Sequence, residues 1–290
     1  MIYMRIYDVV IVGAGPAGVG AALQCSINGL KLLLIEKNEI GGRIRLARRV
    51  ENLLLDKSIS GDDASGYLKK IVLNRGIDFI EGEVKKINSF EGRYITYTKK
   101  RAYYSKSVIV ATGFVPNIPE IAGIDELYRK GRISFEWKGL KREVDSPMLV
   151  IGGGEVGCDS ACSLKENGFD VIVFSRSEKL NINPILLQDV NRLGIKVING
   201  IRYEEVFAQG NVIILNIIKN RKRYFFRGKS ILITVGGRPN LSIIEGISER
   251  ERLFVCGDAN KDNYHQASIA FGDGINTAMR VTQILSGRPK

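Results

Sequence analysis

Histidine, cysteine and long apolar runs are all scarce in this chain of 290 residues. The only histidine, His265, rules against a histidine-rich metal site and argues against a Ser-His-Asp triad. The four cysteines are scattered and none forms Cys-x-x-Cys, so they do not predict a secreted disulfide scaffold. Any chemistry must therefore come mainly from a bound cofactor.

No apolar run approaches the ~20 residues that a membrane-spanning helix needs, and we expect no membrane association. A phosphate-binding turn begins at Gly13, which leaves no room for a signal peptide, so we expect a cytosolic protein. The composition, 44% hydrophobic and 26% charged, is that of a globular protein. A chain of this length predicts about two domains.

Basic residues outnumber acidic residues by 43 to 31, a net charge of +12. They cluster at Lys99–Arg101, Lys138–Arg142 and Lys219–Arg223. One interpretation is solvated faces, and the other is steering toward an acidic partner, such as an electron-carrier protein or a phosphorylated cofactor. No aromatic–basic RNA motif or basic helix accompanies the charge, so no nucleic-acid partner is predicted.

The chain opens with a strand–turn–helix–strand pattern. The apolar, β-branched run Tyr7–Val12 predicts a buried parallel strand, and the glycine-rich turn Gly13–Gly18 follows it directly. A helix over Val19–Asn28 and a second buried strand over Lys31–Ile35 come next, and Glu36 ends that strand. This order is the context that a dinucleotide-binding glycine turn requires.

The same pattern occurs a second time. Met148–Ile151 predicts a strand, Gly152–Gly157 is a second G-x-G-x-x-G turn, and a helix extends to about Glu166. The next strand, Val171–Phe174, ends at Ser175, which stands at the same offset from its first glycine as Glu36. Two copies of one nucleotide-binding plan are the simplest explanation.

Short alternating strands follow each copy and end in an apolar strand that leads into glycine. The predicted strands are Glu83–Ile87, Arg93–Thr98, Ala102–Ser105 and the run Val108–Gly113 in the first half, and Ile195–Ile198, Asn211–Ile218, Lys222–Phe226 and the run Ile231–Gly237 in the second. The predicted fold class is α/β, with two Rossmann-like three-layer domains that each carry an added antiparallel β-meander.

The glycine spacing has a physical reason. The first glycine allows the tight turn, the second lets backbone approach a pyrophosphate, and the third lets the helix pack on the strand. The helix start then offers unpaired N–H groups to the phosphates.

The residue after each second strand indicates the ribose. Glu36 can accept hydrogen bonds from ribose hydroxyls and would repel a 2′-phosphate, so the first turn fits FAD or NAD. Ser175 and Arg176 suit a 2′-phosphate, so the second turn favours NADPH over NADH. The alternative is that Arg176 is an ordinary surface residue.

Further motifs resemble the thioredoxin reductase-like branch of the FAD-dependent pyridine nucleotide-disulfide oxidoreductases, over nearly the whole chain. The segments that carry this resemblance are Gly41-Gly42-Arg43, Val50-Glu51-Asn52, Ala111-Thr112-Gly113 with Pro116, Val235–Asn240, Val255–Ala259, Tyr264–Ala267 and Gly272–Gly274. The resemblance implies a discontinuous FAD-binding domain, residues 1–116 and 245–290, with an NAD(P)H-binding domain, residues 117–244, inserted between its parts. It also implies a homodimer.

The resemblance and the glycine turns together give two sets of cofactor-binding residues. The residues expected to bind FAD are Gly13, Gly15, Pro16, Ala17, Gly18, Glu36, Lys37, Gly42, Arg43, Asn52, Val84, Ala111, Thr112, Gly113, Gly257, Asp258, His265, Gln266 and Ala267. The residues expected to bind NADPH, or NADH, are Gly152, Gly154, Glu155, Val156, Gly157, Ser175, Arg176, Val235 and Gly236. No metal site and no catalytic side chain is predicted.

One departure from the family pattern decides the chemistry. The redox-active Cys-x-x-Cys of the family would precede the second glycine turn, where this chain has Ser134–Gly139 without cysteine. Cys158 and Cys162, at i and i+4 of a helix, would have Cβ atoms ~5–6 Å apart, beyond the ~3.5–4.5 Å of a disulfide. We therefore expect an FAD-dependent NAD(P)H oxidoreductase that passes hydride to FAD and electrons to an external acceptor without an internal dithiol.

Three alternatives remain open from the sequence. The first is an enzyme of the ferredoxin- or flavodoxin-NADP reductase type. The second is a flavoprotein that has lost turnover and serves as a sensor or binding module. The third is a thioredoxin reductase that uses Cys158 or Cys162.

Several side chains near the departures have two interpretations each. Trp137 and Phe135 could cover a flavin face or pack locally, and Glu136 could donate a proton or lie on the surface. His265 stands where the family has Arg, and it could sense flavin charge or have an ordinary helix-capping or surface role. Arg43 replaces the family's Gln, which leaves that flavin contact open.

Overall fold

The computed structural model describes residues 5–53, 57–138, 140, 147–248, 250–260 and 264–287. The chain divides into two compact units. Unit 1 comprises residues 1–45, 49–115 and 238–290, and unit 2 comprises residues 46–48 and 116–237.

The regular elements follow one another in the alternating order expected of an α/β protein. The helices are α1 Pro16–Ile27, α2 Gly61–Asn74, α3 Ile124–Arg129, α4 Glu155–Glu166, α5 Pro184–Arg192 and α6 Ala267–Ser286. The strands of unit 1 and of the connections are β1 Ile6–Val12, β2 Leu32–Glu36, β3 Phe79–Glu81, β4 Val84–Phe90, β5 Arg93–Thr98, β6 Ala102–Val110, β7 Phe114–Pro116, β16 Gly237–Pro239 and β17 Leu253–Val255. The strands of unit 2 are β8 Ile133–Ser134, β9 Met148–Ile151, β10 Val171–Phe174, β11 Lys196–Ile198, β12 Arg202–Gln209, β13 Val212–Lys219, β14 Lys222–Gly228 and β15 Ser230–Ile233. Short 3₁₀ helices cover Gly42–Leu46, Ser242–Ile244 and Gly257–Ala259.

Unit 1 is built on a seven-stranded sheet with the order β3-β2-β1-β6-β5-β4, in which β17 also pairs with β6. β1 runs parallel to β2 and β6, and Val9, Val10 and Ile11 are fully buried because the sheet is covered on both sides. Helices α1 and α6 lie on one side, where Gly20 and Gly274 let the two backbones approach closely. The tight α1–α6 contact fixes where α6 begins relative to the first glycine turn.

One strand of unit 1, β6, takes part in both antiparallel and parallel pairing, although two separate strands were predicted in this region. β6 is continuous over Ala102–Val110. Its first half pairs antiparallel with β5, and its second half pairs parallel with β17. The prediction of separate strands over Ala102–Ser105 and from Val108 is therefore wrong, because local alternation cannot show that the antiparallel meander and the parallel strands share β6.

Unit 2 has a five-stranded parallel sheet with the order β11-β10-β9-β15-β8 and a separate antiparallel sheet with the order β12-β13-β14. The prediction placed Ile195–Ile198 in the meander, but β11 is the edge strand of the parallel sheet. The first meander strand is β12, which sequence analysis missed because Glu204 and Glu205 at a register shift interrupt its alternation. The predicted class, two Rossmann-like α/β units with added antiparallel strands, is confirmed.

The C-terminal boundary of unit 2 lies earlier in the sequence than residue 244, the predicted end of the inserted domain. Unit 2 ends at Gly237, and the chain is back in unit 1 from Arg238. Ile243 and Ile244 belong to the core that contains Val84 and Ile87 of unit 1. Residues 238–244 therefore belong to unit 1, because their apolar side chains are buried there.

No helix within the described residues is both long enough and apolar enough to cross a membrane.

Candidate nucleotide-binding sites

The first glycine turn is a close junction of β1, α1 and the end of β6. Gly13 has φ +103°, and a Cβ at this position would lie 2.3 Å from the carbonyl oxygen of Ala111. A Cβ at Gly18 would lie 1.7 Å from the carbonyl oxygen of Gly13. Both glycines are therefore required by backbone packing inside the protein, whatever binds outside it.

Gly15, the middle glycine, differs from these two. It is the N-cap of α1 with φ −71°, and a Cβ there would have no atom within 4 Å. Pro16 begins the helix, and the first turn contains no acidic side chain. No side chain caps the helix start either, and a Cβ on Gly15 would meet only open space. This opening fits an anion such as a pyrophosphate.

Glu36 is held beside the same turn. Its side chain is buried at the end of β2, where Oε2 accepts a hydrogen bond of 2.7 Å from the backbone N–H of Ala14. Oε1 accepts one of 2.9 Å from the N–H of Asn38. A carboxylate has about four acceptor positions, so Glu36 can still accept bonds from ribose hydroxyls. The next residue, Lys37, is exposed.

Two further motifs of unit 1 reach this turn from distant parts of the sequence. Gly42 packs over it, since a Cβ there would lie 3.1 Å from the Cα of Gly15. A Cβ at Gly257 would lie 2.6 Å from the Cβ of Ala17, so Asp258 follows directly beside the first turn of α1. The structure thus brings together motifs that only the family resemblance connected.

A third motif is linked to the start of α6. Asn52 donates a 2.9 Å hydrogen bond from Nδ2 to Oε1 of Gln266, the N-cap residue of α6, and Ala267 begins the helix. Ser268 donates from its hydroxyl to the carbonyl of Asn52. No local sequence signal marks Ser268, because its hydrogen bond joins segments that are far apart in sequence.

Arg43 and His265, the two departures from the family pattern, meet at one aromatic ring. The Arg43 guanidinium lies 4.6 Å from the ring centre of Phe114, and the His265 ring centre lies 5.6 Å from it on a tilted plane. Nδ1 of His265 is 3.3 Å from Oδ1 of Asp258. Phe114, which was not among the predicted residues, therefore contacts both Arg43 and His265.

The crossover segment after β6 is anchored by its own polar groups. Thr112 donates a 2.6 Å hydrogen bond to the carbonyl of Asn240, and the N–H of Asn240 donates to the carbonyl of Gly113. Val84 lies at the start of β4 with its side chain in the core of unit 1, so only its backbone can face a ligand.

The second glycine turn repeats the geometry of the first inside unit 2. Gly152 has φ +123°, and a Cβ there would lie 2.6 Å from the carbonyl oxygen of Thr234. A Cβ at Gly157 would lie 1.9 Å from the carbonyl oxygen of Gly152, whereas Gly154, the N-cap of α4, has open space. The two turns therefore have the same closed–open–closed pattern.

The start of α4 nevertheless offers different chemistry from the start of α1. Glu155 places a carboxylate in its first turn and accepts a 3.1 Å hydrogen bond from Nδ2 of Asn183. Val156, the next residue, leaves 54% of its surface exposed. An exposed apolar side chain beside the open position of Gly154 can contact an apolar part of a bound ligand.

Ser175 and Arg176 differ in their surroundings. Ser175 is buried against the turn. A Cβ on Gly153 would lie 2.6 Å from the Cβ of Ser175. Arg176 is exposed, with its charge close enough to Tyr203 to oppose the rise in the pKa of that phenol caused by burial. Arg176 is thus available to a ligand, and Ser175 presents only a limited surface.

The remaining residues of this candidate site lie at the end of β15. Gly236 has φ +79°, and its carbonyl accepts a 3.0 Å hydrogen bond from the N–H of Asn117. Val235 packs against the apolar core of unit 2.

Trp137 and Phe135 both pack within unit 2. Phe135 meets Tyr128 edge-on at 5.8 Å, and Nε1 of Trp137 donates a 2.7 Å hydrogen bond to the carbonyl of Leu46. The Phe135 contact agrees with the local-packing interpretation, whereas the Trp137 bond joins two segments that are far apart in sequence. Gly139, in the same stretch, lies outside the described residues, as do positions 141 and 142 of the predicted basic cluster.

Arg48 forms a charge cluster that sequence analysis missed. Its guanidinium contacts Glu166 at 3.0 Å and Asp189 more closely, and its backbone N–H donates to Asp159 at 2.9 Å. Burial tends to lower the pKa of Arg48, but the bond to Asp189 and the nearby carboxylates raise it above its usual value. No local sequence signal marks Arg48, since its partners are more than a hundred residues away.

All four cysteines are buried and none is in a disulfide. Burial raises the pKa of Cys25 and Cys158 to about 12 and that of Cys162 to about 11. Burial also raises the pKa of the Cys256 thiol. Protonated, inaccessible thiols are poor nucleophiles, so no redox-active dithiol is evident in the described residues.

This chain is similar to known proteins over almost its whole length. Thioredoxin reductase of Bacillus subtilis (strain 168) is 27% identical over 305 residues, which cover 96% of this chain and 94% of that protein. The crystal structure of T. acidophilum thioredoxin reductase superposes with a TM-score of 0.86 at 25% identity, covering 97% of this chain and 99% of that one. Bacillithiol disulfide reductase from Staphylococcus aureus shares the fold, with a TM-score of 0.81 at 17% identity and coverage of 99% and 100%. Residues 7–274 match the family described as pyridine nucleotide-disulphide oxidoreductase, and the chain belongs to that family of oxidoreductases.

Proposed function

We propose that this chain is an FAD-dependent NAD(P)H oxidoreductase that delivers electrons to an external acceptor without an internal dithiol. The observation that carries the proposal is the pair of glycine turns with the same closed–open–closed geometry, in a chain without Cys-x-x-Cys. When bound, FAD would accept a hydride from the nicotinamide nucleotide and release its electrons to the acceptor. We assign the reducing nucleotide to unit 2 and FAD to unit 1.

The residues of unit 1 fit FAD. The N–H groups at the start of α1, beside Gly15, would bind the pyrophosphate, and Glu36 would accept hydrogen bonds from the ribose hydroxyls. The Gly42–Arg43 segment and Asp258 border the same turn, which gives a second and a third side to the site. These residues bind and orient the cofactor, and none is required to move a proton.

The residues of unit 2 fit a nicotinamide nucleotide. Gly154 leaves space for the pyrophosphate at the start of α4, and the exposed guanidinium of Arg176 would bind a 2′-phosphate. This arrangement supports NADPH over NADH, because a neutral ribose gives Arg176 no charged partner. Val156 would provide an apolar contact at the helix start.

The buried cysteines support direct transfer to an external acceptor. A dithiol relay needs a thiolate that the oxidised partner can reach, and each described cysteine is inaccessible. The positive charge of the chain favours an acidic acceptor, such as a ferredoxin- or flavodoxin-like carrier.

Anaerobic titration tests the proposal. NADPH should bleach the flavin band at about 450 nm in the wild type. The variant Gly154→Ala should keep its FAD but need about tenfold more NADPH, because a methyl group occupies the space for the pyrophosphate. Gly66→Ala, which adds a methyl to an open position on α2, is the matched control.

Three outcomes would contradict the proposal. They are a colourless protein that does not take up FAD, a flavin that dithionite bleaches but neither nucleotide does, and equal NADPH responses of Gly154→Ala and wild type. The second candidate function is a sensor, which the absence of Cys-x-x-Cys favours. Reduction by NADPH without turnover with any carrier protein, quinone or oxygen would support the sensor.

A further inference from the structure

The antiparallel sheet of unit 2 has two unlike faces. Leu215, Ile217 and Phe226 contribute to the core of unit 2 on the inner face. Because side chains alternate along a strand, Arg223, Phe225 and Arg227 of β14 lie on the outer face. Phe225 leaves 66% of its surface exposed, which is unusual for a phenylalanine in a sheet.

β14 is also the last strand of its sheet, and none of the described strands pairs with its outer edge. Asn220 and Arg221 form a two-residue turn with φ 50° and 63°, and Lys219 pairs with Lys222 across it. Lys219 and Lys222, which close this turn, form a hydrogen-bonded pair, so Lys222 and every second residue after it bond to β13. The backbone groups of Arg223, Phe225 and Arg227 therefore point away from β13.

The charge along this edge is largely uncompensated. Arg223 pairs with Glu204 at 2.6 Å, although 78% of its side chain stays exposed. Arg227 contacts the ring of Phe225 at 5.9 Å. Within the described part of the chain, no carboxylate lies within ion-pair distance of Arg227 or of the turn residues Lys219, Arg221 and Lys222.

A second copy of this chain is a poor partner for this edge. Antiparallel pairing of two β14 strands about Phe225 would place Arg223 of one chain opposite Arg227 of the other, and like charges in cross-strand pairs are destabilising. A nucleic acid could meet the charge, but it has no backbone that pairs with a β edge. An acidic polypeptide satisfies both the charge and the unpaired edge.

We propose that β14 is a docking edge for an acidic, extended segment of a partner protein, which adds to the sheet as a further strand. The register defines the segment. Acidic side chains lie opposite Arg223 and Arg227, and an apolar side chain lies opposite Phe225, so the motif is acid-x-apolar-x-acid. This inference rests on unit 2 alone and does not depend on the proposed cofactors.

A labelled peptide, Thr-Glu-Thr-Val-Thr-Glu-Thr with blocked ends, tests the proposal against the full chain by fluorescence anisotropy. Two control peptides carry Lys in place of both Glu residues, or an N-methyl group on the backbone of Val. The variant Arg227→Glu should bind the acidic peptide about tenfold more weakly, because an attractive cross-strand pair becomes repulsive. Lys69→Glu, on the exposed side of α2, makes the same change of charge elsewhere and should leave binding unchanged.

Hydrogen exchange locates the binding. The acidic peptide should slow exchange of the amides of Arg223, Phe225 and Arg227, and both control peptides should fail to do so. The proposal is overturned if the Lys peptide binds as tightly as the acidic peptide, or if Arg227→Glu binds as wild type does. It is also overturned if protection maps outside β14, if none of the peptides binds, if a single-stranded oligonucleotide binds β14 more tightly than the acidic peptide, or if the chain dimerises through β14.

Discussion

Two neighbouring glycines of the first turn should respond in opposite ways to the same added methyl group. Gly18→Ala puts a Cβ 1.7 Å from the carbonyl oxygen of Gly13, whereas Gly15→Ala puts one where no atom lies within 4 Å. Gly18 therefore serves the fold, whereas we propose that Gly15 serves the ligand. The pair separates the stability of unit 1 from its cofactor binding.

The expected magnitudes follow from these distances. A Cβ essentially never approaches a neighbour closer than 3.0 Å, so the Gly13 carbonyl must move by about 1.3 Å. Overpacking of this kind costs about 1–3 kcal/mol even after the better helix propensity of Ala is counted. Gly15→Ala keeps an allowed conformation at φ −71° and costs less than about 1 kcal/mol as an N-cap change.

Thermal unfolding of the FAD-free protein measures the first effect. Each kcal/mol lowers Tm by about 2–4 °C in a protein of this size class, so the cost of about 1–3 kcal/mol should lower Tm of Gly18→Ala by about 2–12 °C. Gly15→Ala should lower it by less than about 4 °C. Isothermal titration with FAD measures the second effect. Gly15→Ala should lose at least about tenfold in affinity, because its methyl group fills the approach of the pyrophosphate.

Two results would refute the reasoning. One is a Gly15→Ala protein that binds FAD as tightly as the wild type, which would mean that the opening is not the pyrophosphate site. The other is equal loss of Tm in the two variants, which would mean that the close approach at Gly18 is not what requires glycine there.

Three other predictions follow from single contacts. Arg48→Ala should lower the free energy of unfolding by about 3 kcal/mol, because it leaves the buried carboxylate of Asp189 poorly compensated. The control Arg192→Ala removes a side chain that is 62% exposed and should cost less than about 1 kcal/mol. Similar urea midpoints for the two variants would contradict this. Arg176→Ala should raise the KM for NADPH about tenfold and leave that for NADH unchanged, and an equal rise for both nucleotides would show that Arg176 does not read the 2′-phosphate. The four cysteines should react with a thiol reagent at about pH 8 only after unfolding, since burial keeps them protonated and covered; rapid labelling of the native protein would contradict this.

The glycine turns could be predicted from the sequence because their requirement is local. A strand, three spaced glycines and a helix lie within one short segment, and the structure has β9 at the predicted residues. The ends of elements were less predictable. The first helix begins at Pro16 rather than Val19, since Pro at the first helical position is compatible with the helix.

Elements whose role depends on a distant partner could not be assigned. β6 is a single strand because β5 and β17 share it, and β11 joins the parallel sheet because β10 lies beside it. The alternation in their sequences is the same in either arrangement, so only the tertiary pairing distinguishes them.

The sequence by itself determined that there are two glycine turns between strand and helix, that Glu36 and Arg176 follow their second strands, and that no Cys-x-x-Cys is present. Only the tertiary structure decided which glycines are closed by backbone and which are open. It also decided that Phe114 joins Arg43 to His265, and that Arg48 neutralises carboxylates of two helices. The reason is physical: a turn is specified by neighbours in the chain, whereas a buried contact is specified by whichever segments the packed core brings together.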